Sequence, residues 1–217
     1  MQDKDSEEIQ DPLKELDQIY EPDVRQRSFV GDLDDRHAAL KSIVLNEAVP
    51  IEVRQLFETA KNLSLYSWFV YRFHQVSELI AFSALEMALR ERYLKENHNA
   101  PRNRLGLYKL LQFAKSEGWI TNDGFPSSYE RAKYLAEHEK AMEVMRDVRM
   151  EEGESYPIEE PTEEEISEVL SRLDLVSAIA DNAHKIRNDL AHGSSTLHPH
   201  SISTLTSTSE VINQIYP

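Results

Sequence analysis

The chain reads as an all-α protein, an up-and-down helix bundle. Three observations predict it. Apolar residues recur at spacings of three and four along most of the chain, alternating apolar–polar runs are scarce, and only 6 of 217 residues are glycine. A hydrophobic fraction of 40% with two tryptophans supplies a core, which excludes a globally disordered chain.

The elements follow in order. Residues 1–33 are acidic and poor in apolar residues, and read as a tail with a helical turn or two around 13–19. The folded domain then spans 34–217. Its first helix runs from 34 to about 46, capped by Asp34 or Asp35, and Pro50 sits in the first turn of a second helix carrying Val53, Leu56, Phe57 and Ala60. Phe69, Phe73, Val76, Ile80, Ser83 and Met87 mark one side of a long helix reaching about Lys95, and Phe82, Leu85 and Leu89 add a second side. A helix so apolar all round is central, either in a bundle or in a dimer. Leu105, Leu107, Leu110, Leu111 and Ala114 form the next helix, which Gly118 stops. Residues 129–149 are helical in composition but strongly charged, so they should lie on the surface, and 150–165 form an acidic linker with two prolines. Thr162 and Glu165 make a capping box that opens one helix running to Gly193. A Ser/Thr-rich helix from 201 to 215 ends the chain.

Composition excludes several functions. With no cysteine there is no disulfide framework, thiolate metal site or cysteine nucleophile. The charged first 30 residues carry no apolar signal region, and no apolar run approaches the roughly 20 residues that span a bilayer, which predicts a cytoplasmic protein with no membrane partner. The net charge of −15 works against nucleic acid at first sight. It is unevenly spread, however: residues 145–170 hold two Lys/Arg against ten Asp/Glu, whereas 61–115 hold nine against four. Arg90, Arg92, Lys95, Arg102 and Arg104 belong to that basic part, as flanks of an RNA groove or as a solvated surface. Tyr66, Trp68 and Tyr71 read as core or interface anchors.

The segment carrying chemistry is IRNDLAHG, residues 186–193. At about 100° per residue, and with His184 at zero, Arg187 falls near 300°, Asn188 near 40° and His192 near 80°. Leu175, Ile179, Ala183, Ile186 and Leu190 occupy the opposite, buried face. Arg187 then borders that face, and His184, Asn188 and His192 line a polar edge. A fixed cation, an amide and an imidazole on one wall suit phosphate chemistry. Cations also stabilise any helix C-terminus, by roughly 0.3–1 kcal/mol. Glu86 is the lone charge in the apolar stretch 79–89. Either it surfaces on the open side of its helix, or it is buried with a partner, for which Arg187 is the candidate. Histidines 184, 192, 198 and 200 lack the spacing of a compact ligand pair, so no metal and no other cofactor is expected.

A helix bundle whose penultimate helix ends in Arg187, Asn188 and His192 resembles the HEPN superfamily, the higher eukaryotes and prokaryotes nucleotide-binding domains. The segment FSALEMALRERY, residues 82–93, looks like the long early helix of such domains, and the likeness covers roughly 51–216. It implies an HEPN-like bundle with an acidic N-terminal extension and an acidic inserted helix and linker. It also implies a homodimer in which two copies of the motif share a cleft, and a metal-independent endoribonuclease acting on RNA and leaving 2′,3′-cyclic phosphate ends. Arg187, Asn188 and His192 would be catalytic; Glu86 and His184 are supporting candidates from their placement alone, and His184, outside the family motif, also reads as a bystander. A toxin or defence role, with an antitoxin or regulatory protein as partner, follows from the same resemblance. The alternative is a non-catalytic HEPN-like module that binds nucleotides or a protein.

Overall fold

A computed structural model describes residues 11–28, 31–98, 105–147, 159–193 and 197–217, and among these are eight α-helices and no strand. Arg102, Arg104 and most of the 150–165 linker lie outside the described residues.

Helix α1 (Leu33–Ser42) is capped by Asp32, not Asp34 or Asp35. The Asp32 carboxylate accepts the N–H groups of Asp34 and Asp35, both at 2.9 Å, and Asp35 returns a bond to the Asp32 N–H. The helix also stops four residues early. Asn46 and Asn213 exchange side-chain bonds with the backbone of each other's segment, Asn46 N–H donating to Asn213 Oδ1 at 2.8 Å and Asn213 Nδ2 to the Val44 carbonyl at 2.9 Å. Those bonds hold 43–46 off the helical path, and a turn at 47–49 follows, with the Val49 N–H donating to the Asn46 carbonyl at 3.1 Å. Helix α2 (Ile51–Tyr66) starts directly after Pro50 and buries Val53, Phe57, Ala60 and Ser64, spaced four, three and four apart.

Helix α3 (Phe73–Glu96) is the centre of the bundle. Its start falls at Phe73, since residues 67–72 turn the chain out of α2 and Phe69 belongs to that turn. Ala81, Ala84 and Ala88 are fully buried beside Phe82, Leu85 and Leu89, and these small side chains let neighbouring helices approach closely. Of the two readings of this helix, central in a bundle or central in a dimer, the chain itself realises the first. Among the large apolar side chains of α3 only Val76 is exposed.

Helix α4 (Leu107–Ser116) buries Leu107, Leu110, Leu111 and Ala114. Helix α5 (Ser128–Asp147) pairs with α6 (Glu163–Arg172) around a separate small cluster of Ala132, Ala136, Ile166 and Val169. The capping box of Thr162 and Glu165 is formed. The single helix expected from there to Gly193 is two, because Leu173 is extended and the Asp174 carboxylate caps a new start, accepting the Ser177 N–H at 3.0 Å. That start opens α7 (Leu175–Ala191).

Helix α8 (Ser201–Ile215) packs along α3 and buries Ser201, Thr208, Ser209 and Glu210 besides its apolar residues. Hydroxyls in this helix donate to carbonyls one turn back, as Thr208 does to Thr204 at 2.8 Å, so they can enter the core satisfied. A closed set of buried bonds ties its first turn to α1, α2 and α3. The Ser67 hydroxyl donates to the Ser64 carbonyl at 2.7 Å, so it accepts from His74 Nε2 at 3.1 Å and from Arg36 at 2.8 Å. His74 Nδ1 is then the acceptor for the Ser201 hydroxyl at 2.7 Å, and Ser201 accepts from Ser64. Every donor has an acceptor with the imidazole neutral. Burial first, and then the charge of Arg36, hold its pKa down to about 3.

Candidate functional site

Helices α4 and α7 lie side by side and antiparallel. Lys115 Nζ donates to Ser177 Oγ at 2.8 Å, Gln112 Nε2 donates to Asp181 Oδ1 at 2.9 Å, and the rings of Tyr108 and His184 meet at 4.6 Å between centroids. This register brings the first turn of α4 against the last turns of α7. Gly106 caps α4 without a side-chain bond, so the amide end of α4 opens beside the cationic end of α7. The third wall is α3, which contributes Glu86.

These elements enclose an open pocket of about 320 Å³ lined by Glu86, Gly106, Tyr108, Lys109, His184, Arg187 and Asn188. One oxygen of Glu86 accepts from Arg90, and the other stands 3.7 Å from Arg187 Nη2. The carboxylate therefore bridges two guanidinium groups and leaves the trio with net positive charge, to which Lys109 adds. Arg187 also reaches Asn188 Oδ1 at 3.4 Å. The Nε atoms of Arg90 and Arg187 and Nδ1 of His184 are buried without a hydrogen-bond partner among the described residues. A pocket that is cationic on balance and lies beside an uncapped helix start is suited to an anion.

His192 is placed differently. It is the C-cap residue of α7, its N–H bonded to the Asn188 carbonyl at 2.9 Å and its side chain exposed. It does not line the pocket that holds Arg187 and Asn188. Five helical steps separate it from Arg187, about 140° around the axis. Gly193 ends the helix with φ of 84°, a conformation that side-chain-bearing residues rarely adopt.

Two expectations about this region need correction. On α7, Leu175 and Ala183 are buried and Ile179 and Leu190 pack partly buried against the core as the period predicts, whereas Ile186 is 42% exposed. Its side chain lines an apolar groove of about 210 Å³ between α7, α3 and α8, with Phe82, Ile179 and Ser207. Leu190, one turn further on, packs against the core, so the exposure is local to Ile186 and the groove beside it. Second, the described members of the basic run, Arg90, Arg92 and Lys95, do not act as one surface. Arg92 lies over the Trp119 ring at 4.4 Å and donates to the Ile215 carbonyl, and Lys95 sits 5.6 Å from the Tyr216 ring, so both brace the fold. Among the described residues of the run, only Arg90 reaches the pocket's acid. Of the three aromatic anchors, Tyr71 is buried and Tyr66 is exposed.

Tyr108 and Lys109 escaped the sequence reading. Both stand off the apolar stripe of α4, and that offset beside Gly106 was the available signal. Among the described residues no three His, Asp or Glu side chains are grouped to hold a metal, and no helix is long and apolar enough to cross a membrane. Comparison with family models, with curated proteins and with solved structures gives no match.

Proposed function

We propose that this chain is a metal-independent endoribonuclease of HEPN type, acting as a cytoplasmic toxin or defence effector. The observation that carries the reading is the cationic pocket at the end of α7, where Arg187 and Asn188 meet an uncapped helix start beside the exposed His192. In the reaction the ribose 2′-oxygen attacks the adjacent phosphorus. A P–O2′ bond forms, the P–O5′ bond breaks, the 2′-proton passes to a base, and a proton reaches the departing 5′-oxygen. The products are a 2′,3′-cyclic phosphate and a 5′-hydroxyl. His192 exchanges these protons, Arg187 binds the non-bridging oxygens as their charge grows, and Asn188 orients the phosphate or the imidazole.

Arg187 and His192 lie on different sides of α7, so one copy does not present both to a single phosphate. A two-fold pairing that sets α7 against α7 brings each His192 toward the partner's Arg187, and the exposed Ile186 and its apolar groove support such a contact. One observation favours the alternative, a non-catalytic module that binds nucleotides or a protein: Glu86 engages Arg187 while His192 stays outside the pocket. The deciding experiment incubates the purified chain with total RNA in EDTA, beside His192→Ala. Cutting by the wild type alone, with cyclic phosphate ends, is the expected result. Cutting that survives His192→Ala or needs a divalent metal removes the mechanism, and an inactive wild type leaves the binding module.

A further inference from the structure

We infer that the pocket between α4 and α7 seats an unpaired nucleobase against Tyr108, so that the substrate is single-stranded RNA whose neighbouring phosphate lies on Arg187. The inference rests on the ribonuclease reading and adds the form of the substrate to it. Tyr108 is 47% exposed and stands off the stripe of Leu107, Leu110, Leu111 and Ala114 that packs α4 into the core. Core packing therefore does not account for an aromatic ring at this position. The ring is held from one side by His184, at 4.6 Å and an interplanar angle of 55°, which fixes its orientation before any ligand arrives.

The surrounding groups complete the case. Arg187 and Lys109 supply positive charge on the same pocket, and the Asn188 amide offers a donor and an acceptor suited to the edge of a base. Aromatic rings beside a cationic track are how proteins take unstacked bases, because every base has a π-face to offer. A base inside a duplex has both faces occupied and cannot enter. The volume of about 320 Å³ is at the small end for ligand pockets, which fits one base.

The test measures binding of the full chain to two strands of equal length. One is a 2′-O-methyl RNA, which cannot be cut because its nucleophile is blocked; the other is the same backbone without bases. The wild type is expected to prefer the base-bearing strand by about 5- to 150-fold, the range of one base–aromatic stack. Tyr108→Leu should lose that preference while binding the abasic strand as the wild type does, and Tyr108→Phe should keep it. Unchanged thermal melting of Tyr108→Leu checks the fold. If Tyr108→Leu keeps the preference, or the wild type has none while natural RNA is still cut, the inference falls and the ribonuclease reading stands. If the wild type binds neither strand and cuts no RNA, both fall.

Discussion

Arg187 lies before the last turn of α7, so stabilisation of cations by the free carbonyl groups of a helix end does not account for it. Its contact with Glu86 says more. A carboxylate on the buried helix α3 draws two guanidinium groups to one pocket wall, which orients Arg187 at the expense of part of its charge. Arg187→Lys keeps the charge but loses the planar fork, and cleavage should drop by about 10²- to 10³-fold with the fold intact. Glu86→Gln should separate binding from turnover. The pocket gains net positive charge, so RNA binds more tightly at low salt, while the guanidinium groups lose their guide and the single-turnover rate falls. Steady-state and single-turnover kinetics read the two effects, and parallel losses in binding and rate would mean that Glu86 serves folding alone.

At the scale of elements, local chemistry decided where helices begin and end, and most of it was visible in the sequence. The capping box of Thr162 and Glu165 is a case of direct legibility, since both partners lie within one turn. Thr162→Ala should lower stability by about 1 kcal/mol, read from urea melts, and an unchanged midpoint would mean that the α5–α6 pair unfolds independently of the rest. The break at Asp174 was equally local, but Leu173 and Leu175 continue an apolar pattern across it, and the period masked the cap. Longer-range bonds were illegible. The early end of α1 depends on Asn213, 167 residues beyond Asn46, and no spacing rule reaches that far. The site divides in the same way. Arg187, Asn188 and His192 lie within six residues at one helix end and could be read from it, whereas Tyr108 and Lys109 meet Arg187 and Asn188 only through the antiparallel register of α4 and α7. The period that puts Ile186 inside holds for Ile179 and Leu190 on either side of it, and it does not reveal the groove between α7, α3 and α8 that opens beside Ile186.

The whole molecule carries two buried titratable groups on α3 that oppose each other. His74 lies among Arg36, Ser67 and Ser201, with His198, His200 and Asp23 near enough to act on its charge, and it is held down to about 3. Glu78 is pushed up to about 7 by burial, against the lowering effect of the Thr204 hydroxyl that donates to it at 3.0 Å, and His198 stands 3.4 Å from its other oxygen. The signs differ. A histidine whose pKa falls on folding contributes stability that is present above about 6.5 and lost as the pH drops toward 3. A carboxyl whose pKa rises contributes stability that is present below about 4.5 and lost as the pH climbs toward 7. Between pH 7 and pH 5 each changes stability by about 2 kcal/mol, in opposite directions, so the two offset each other in that window. Single variants remove the balance. His74→Asn should gain stability on acidification from pH 7 to pH 5, and Glu78→Gln should lose it, each by about 2 kcal/mol relative to its own value at pH 7. Urea melts of the three proteins at the two pH values make the comparison, and because each variant is referred to itself, a general loss from the substitution cancels. Two variants that both stay flat, or that both move the same way, would show that α3 holds no such pair.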